Sequence, residues 1–178
     1  MQADSGLSNF LSKIPTSISD VNWKTWRPAD IATLLFIVQE QQILLIRKKR
    51  GLGKGKINAP GGKLDAGETP IECAIRETRE ELLIDVQNPE YCGEHLFQFV
   101  DGYSLRVFVY RAEIYSGQPT ETDEAVPLWF SLDEIPYAEM WEDDYLWIPL
   151  VLERKRFHGS WLFAGDTMLD YKLMLTNQ

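Results

Sequence analysis

The sequence predicts an α/β fold in which a mixed β-sheet is sandwiched between helices. Three observations carry this expectation. Apolar runs of strand length recur before, between and after two helical segments, an order that builds layered domains. The first helical segment, about 70 to 82, has a marked start: Thr69 suits the cap, Pro70 the first helical position, and Glu72 completes a capping box. Of the 178 residues, 44% are hydrophobic, enough for one domain with a sizeable core.

The first thirty residues read as an N-terminal extension closed by Trp26, Arg27 and Pro28, with the domain running from 31 to 178. Within the extension, Leu7, Phe10, Leu11 and Ile14 follow helical spacing. A short helix packed on the domain fits them better than a membrane anchor, because the polar face is not rich in Lys or Arg. IATLLFIV (31–38) and ILLIRK (43–48) read as strands joined by the polar turn QEQQ. A loop rich in Gly and Lys (51–56) leads towards the first helix. HLFQFV (95–100), LRVFVYRAEI (105–114) and VPLWFSL (126–132) are further strands, and DDYLWIPLVLERKRF (143–157) reads as the second helix. WLFAG and MLDYKLML close the sheet, and no repeat or low-complexity linker interrupts the order.

A formal net charge of −9 disfavours nonspecific contact with nucleic-acid polymers or anionic membranes, both of which need a basic footprint. It leaves room for one phosphorylated small molecule held through metal ions. No stretch approaches a membrane-spanning length, and the start lacks the apolar run of a secretory signal. Cys73 and Cys92 make no disulfide framework, and with only His95 and His158 a zinc site is short of ligands. A reducing cytoplasmic setting is the simplest expectation.

The densest chemistry lies in RETREE, residues 76 to 81. On a helical wheel Ile71, Ala74, Ile75, Thr78 and Leu82 share a face expected to pack on the sheet. Glu77, Glu80 and Glu81, spaced i, i+3 and i+4, share another. Like charges at this spacing cost a few tenths of a kcal/mol, so a solvated helix normally alternates them. A run of this kind in isolation is more often plain charged surface. A hard-cation site is the alternative, because Mg²⁺ is held by carboxylates together with substrate phosphates.

The longer pattern decides between them. From Gly62 the chain runs five residues to Glu68, seven more to Arg76 and Glu77, then Glu80, Glu81 and Ile84. This resembles the box of the Nudix hydrolases, G-x5-E-x7-R-E-U-x-E-E-x-G-U, where U is a bulky aliphatic. Thr78 replaces one aliphatic, and Leu83 stands where the family has Gly. Glycine there lets the chain leave the helix in a left-handed conformation, so Leu83 is expected to alter the helix exit. KKRGLGKGKINAPGGK (48–63), ETDEAVPLWFSLDEIP (121–136) and MWEDDYLWIPLVLERKRFHG (140–159) extend the resemblance to the branch acting on oxidised purine nucleoside triphosphates.

The resemblance implies roles position by position. The Gly61 carbonyl with Glu77, Glu80 and Glu81 falls on metal-binding positions, and Glu124 on a further acid brought from a distant loop. Asn58 falls on a base-recognising asparagine, Asp143 and Asp144 on a pair reading the purine edge, and Trp141 on a ring packed against the base. Thr33, Lys48, Phe97, Phe99 and Trp147 fall on other pocket positions. Leu52 and Ala125 stand where that branch carries a larger Phe and a Met. The implied cofactor is Mg²⁺, with Mn²⁺ as an alternative ion, and the implied partner is a nucleoside triphosphate bound by a monomer.

The residues suit that chemistry. Metal ions screen a triphosphate and lower the pKa of a bound water, and Glu81 or Glu124 is placed to take the water's proton. Glu68 and Arg76 read as a pair fixing loop to helix, against the alternative of a surface ion pair worth about 0–1 kcal/mol. Arg47, Lys48, Lys49, Arg50, Lys54, Lys56 and Lys63 form a basic run flanking the glycine loop, where one or two members would attract a triphosphate. Asp143 and Asp144 before an apolar run also suit a helix N-terminus. In a poorly solvated pocket they would share a proton, one donating and one accepting. Phe97 and Phe99 alternate as core aromatics do, Cys73 reads as a small packing residue, and His95 and His158 as structural. Rival functions keep the box but change the substrate to another nucleoside diphosphate derivative or an RNA 5′ end, or give a noncatalytic nucleotide-binding module.

Overall fold

The computed structural model describes residues 14–177. The amphipathic spacing of Leu7, Phe10 and Leu11 lies outside the described residues. The strands are β1 (Asp30–Gln39), β2 (Gln42–Lys48), β3 (Ile57–Asn58), β4 (Asp85–Gln87), β5 (Glu90–Phe99), β6 (Ser104–Ala112), β7 (Ile114–Ser116), β8 (Ala125–Ser131), β9 (Phe157–Ala164) and β10 (Thr167–Leu175). The helices are α1 (Pro70–Leu82) and α2 (Asp144–Leu152).

The main sheet runs β10-β9-β5-β6-β1-β2-β3, with β8 also paired to β2. β1 and β6 are parallel, as are β5 and β9, whereas β1–β2, β5–β6 and β9–β10 are antiparallel. The expected mixed sheet is therefore present. β1 is apolar on both faces, as a strand covered on both sides requires. Leu35 and Ile37 pack with Ala74 and Leu82 of α1 on one face. Phe36 and Val38 pack with Trp147, Ile148 and Val151 of α2 on the other.

Several boundaries move. The second helix stops at Leu152 instead of 157: Lys155 N–H closes onto Leu150 O, Arg154 takes a positive φ of 57°, and Phe157 already pairs with β5. The 105–114 run breaks at Glu113 into β6 and β7, and β7 pairs with β4 in a small second sheet. β5 begins five residues earlier than its apolar core suggests, because Gly93 lies against Phe157, where a Cβ would fall 2.4 Å from the carbonyl oxygen.

The α1 wheel is also corrected. Ile71 is 39% exposed and Ile75 only half-buried, while Cys73 and Glu81 are buried beside Ala74, Thr78 and Leu82. The inward face is rotated towards the carboxylates. Thr78 is satisfied there by donating to Ala74 O at 2.7 Å. The cap is as expected: Thr69 Oγ1 accepts from Glu72 N–H while Glu72 accepts from Thr69 N–H.

Leu83 does not divert the helix exit. It takes the left-handed conformation itself, φ 59° and ψ 35°, with its N–H on Arg79 O and its side chain 56% exposed. The extension is tied down at two points, Ser17 Oγ donating to Asp170 of β10 at 2.7 Å and Trp26 Nε1 to Gln98 of β5 at 2.9 Å, whereas Ile14, expected to pack, is 65% exposed.

Candidate active site

The loop before α1 is zipped along β1. Thr33 N–H donates to Gly62 O and Leu35 N–H to Pro60 O, each at 2.9 Å. This approach needs glycine, since a Cβ on Gly61 would lie 2.0 Å from Thr33 O. A Cβ on Gly62 would lie 2.3 Å from the Glu77 carboxyl carbon. The two glycines therefore bring a carbonyl and a carboxylate together beside β1.

A cavity of about 500 Å³ opens here. Every residue assigned from sequence to metal or substrate lines it except Glu80: Thr33, Lys48, Asn58, Gly61, Glu77, Glu81, Phe97, Phe99, Glu124, Trp141, Asp143, Asp144 and Trp147. α1 brings its carboxylates from one face of the sheet, and α2 brings the aspartates and Trp147 from the other. Glu80 is half exposed and bound to Arg76 Nη1 at 3.1 Å.

Glu81 is the most enclosed acid of α1, 2% exposed. Its Oε1 accepts from Lys48 Nζ at 3.1 Å and its Oε2 from Gly61 N–H at 2.8 Å. Burial raises its pKa, and the Lys48 charge and these hydrogen bonds oppose the rise. Burial likewise raises Glu77, against the Arg76 guanidinium 2.8 Å away. Glu124 pairs with Arg50. Arg76 clasps Glu68 through two bonds of 2.8 Å and holds it down to about 2, while a further bond to Lys63 O ties helix to loop.

The aspartates are not helix caps. Asp143 occupies the N-cap position of α2 without making a side-chain cap bond. Its Oδ2 accepts from Trp147 Nε1 at 2.8 Å, and its Oδ1 is buried without a partner. Asp144 Oδ2 accepts from Trp141 N–H at 3.0 Å. Burial pushes Asp143 up to about 6, with the Trp147 donor opposing, and burial followed by the Asp143 charge raises Asp144 well above the usual range.

Around them stand Phe97, Phe99, Trp141 and Phe163, with Lys56 Nζ 5.0 Å from the Trp141 ring centroid. Lys48, Arg50 and Lys63 are the members of the basic run that line the cavity. Three others turn to surface acids: Arg47 to Glu139 at 2.7 Å, Lys49 to Glu121 at 2.5 Å and Lys56 to Asp166 at 3.1 Å. Sequence reasoning missed Arg50 as the Glu124 partner, and Tyr103 and Phe163 as lining residues. Alternation with Trp161 along β9 was an available signal for Phe163; Tyr103 sits in a turn with none. Leu52 lines the cavity, but Ala125 is fully buried and does not. Cys73 is a packing residue whose thiol is pushed up to about 11 by burial.

The donor set suits a hard cation, since Glu77, Glu81, Glu124 and the Gly61 carbonyl offer only oxygen. Among the described residues no three acid, histidine or cysteine side chains are arranged to hold an ion. Holding one requires Glu81 to exchange Lys48, and Glu124 to exchange Arg50, for the ion.

A sheet sandwiched by two helices, with a glycine loop setting a carboxylate-bearing helix against a nucleotide-sized cavity, defines a Nudix fold. The NUDIX domain model matches residues 28–151, and the chain belongs to that family. It is 43% identical over 145 residues to the oxidized purine nucleoside triphosphate hydrolase of Danio rerio, covering 80% of this chain and 93% of that one. It is 43% identical over 143 residues to the protein of that name from Mus musculus, covering 79% and 92%. The Mutator MutT protein of Bacillus halodurans superposes with a TM-score of 0.72 at 28% identity, over 81% of this chain and 97% of that one.

Proposed function

We propose that the chain hydrolyses oxidised purine nucleoside triphosphates, such as 8-oxo-dGTP and 2-hydroxy-dATP, to the monophosphate and pyrophosphate, and so cleanses the nucleotide pool that feeds DNA synthesis. The observation that carries this reading is the pairing, within one cavity, of a carboxylate wall from α1 with two fully buried aspartates from α2. The first wall suits a metal-bound polyphosphate, and the second a purine edge that presents both donors and acceptors.

Glu77, Glu81, Glu124 and the Gly61 carbonyl would hold Mg²⁺, or Mn²⁺ in its place. Bound there, the ion screens phosphate charge and acidifies a water. Lys48 and Lys63 attract the phosphates, and whichever of Glu81 and Glu124 stays free of the ion would accept the water's proton. Arg76 and Glu68 keep the loop and α1 in register. Phe97, Phe99 and Trp141 enclose the base while Asn58, Asp143 and Asp144 read its polar edge. The chain is expected to work as a cytoplasmic monomer. None of the described helices is long and apolar enough to cross a membrane.

A turnover panel tests this reading. With magnesium present, 8-oxo-dGTP and 2-hydroxy-dATP should release pyrophosphate far faster than dGTP, ADP-ribose or triphosphorylated RNA. Equal rates on all of them would remove the base-reading role, and activity on capped or triphosphorylated RNA alone would transfer the function to RNA ends.

A further inference from the structure

His95 sits on β5 two residues before Phe97 and is wholly buried. Its Nδ1 accepts from Trp161 Nε1 at 2.9 Å, which places the ring proton on Nε2, and Nε2 has no hydrogen-bond partner. The site is built for this pair. A Cβ on the facing Gly159 would lie 2.6 Å from His95 Nδ1 and 2.4 Å from Trp161 Nε1, so only glycine leaves the two nitrogens room to meet. The imidazole stacks on Phe157 with centroids 5.0 Å apart and sits 4.4 Å from the Trp147 ring. Trp147 in turn donates to Asp143, whose other oxygen has no partner. An apolar side chain would fill the same volume without leaving a buried nitrogen unpaired, so the imidazole is retained at a cost in stability.

We propose that His95 is a positioning residue: oriented by Trp161, it seats the Trp147 indole and through it the Asp143 carboxylate that faces the base. This rests on the function proposed above, and its distinctive content is a chain of contacts from β9 through β5 to α2. The ring acts without changing charge, because burial pushes it down to about 3 and it is neutral throughout the working range.

The test compares His95→Leu, which removes the acceptor, with His95→Asn, whose amide oxygen restores it. Trp161→Phe removes the donor, and Val86→Ala loosens the core on the other face of the sheet, away from the cavity. In the ligand-free protein, the indole N–H resonance of Trp147, assigned by its loss in Trp147→Phe, should shift in His95→Leu. It should shift less in Trp161→Phe and stay in place in His95→Asn and Val86→Ala. With 8-oxo-dGTP, His95→Leu should raise KM about tenfold with kcat within about twofold, the signature of lost ground-state and transition-state binding alike. An unmoved Trp147 resonance in both His95→Leu and Trp161→Phe overturns the proposal. So does a shifted resonance with unchanged KM, or equal losses in Val86→Ala. If the wild-type protein hydrolyses no oxidised purine nucleotide, the functional reading falls, while the ligand-free resonance still decides whether His95 seats Trp147.

Discussion

Lys48 Nζ reaches Glu81 Oε1 across 3.1 Å, joining the end of β2 to the last turn of α1 inside the cavity. The contact is largely enclosed, with the Lys48 side chain 17% exposed and that of Glu81 2%. Burial raises the pKa of Glu81, and the Lys48 charge is the largest influence opposing that rise. Removing the cation in Lys48→Met should take away that opposition and raise the Glu81 pKa further in the ion-free protein. Carboxyl-resonance titration of the ion-free protein would then show Glu81 ionising at higher pH than in the wild type. Glu81→Gln should lower kcat by about 10²–10⁴ at every pH. A Gln variant with wild-type turnover, or a Met variant whose ion-free Glu81 titration is unmoved, would contradict the assignment.

Arg76 makes a different kind of contact. Its guanidinium grips both oxygens of Glu68 and also bonds Lys63 O, so it fixes the loop carrying Gly61 and Gly62 against α1. Substitution of such a supporting residue typically costs about 10–100-fold in metal affinity or activity, and Arg76→Ala is expected to fall in that range. The pair also predicts an acid response. Glu68 is held below its ordinary value of 4.5, at about 2, so the stability it contributes is present above pH 4.5 and lost as pH falls towards 2. Acid unfolding profiles should show this loss in the wild type and not in Arg76→Ala.

Leu83 offers a test of stability alone. Its left-handed backbone costs a side-chain-bearing residue roughly 1–2 kcal/mol, and with 56% of its surface exposed it recovers little by burial. Leu83→Gly should therefore raise the urea midpoint, by about 1 kcal/mol in unfolding free energy, whereas Leu83→Ala should not, because alanine carries the same Cβ. A glycine variant no more stable than wild type would show that contacts of the leucine offset the strain.

How far the sequence reveals this molecule depends on the range of the forces involved. The cap of α1 and the alternation of β1 are local, and Thr69, Pro70, Glu72 and the IATLLFIV run were readable directly. The cavity wall was legible because Gly62, Glu68, Arg76 and the glutamates keep a fixed spacing on one loop and helix. The inward face of α1 was misread because burial of Glu81 depends on Lys48, thirty-three residues away, and no helical wheel contains that partner. The β4–β7 pairing and the Arg50–Glu124 contact are long-range in the same sense. Leu83 was misjudged for another reason: the surrounding fold holds a conformation that the residue's own preference opposes.

Asp143 and Asp144 join stability to specificity. Both are completely enclosed, and Asp143 rises from 3.8 to about 6. Between those pH values the folded protein keeps a proton that the unfolded chain has released, so stability falls as pH rises through the window and stays lower at neutrality. Asp143→Asn abolishes the titration while its amide oxygen still accepts from Trp147. Its stability relative to wild type should be near zero at pH 4 and increase towards pH 8, read from guanidinium unfolding at pH 4, 6 and 8. A pH-independent difference would exclude the buried titration. Asp144→Asn should then separate recognition from folding. A fixed amide cannot move a proton to match both 8-oxo-dGTP and 2-hydroxy-dATP, and a mismatched polar edge leaves buried groups unpaired. The ratio of kcat/KM between those two substrates should change by about tenfold or more, with less effect on dGTP. Equal loss on every triphosphate would mean that Asp144 supports the pocket without reading the base.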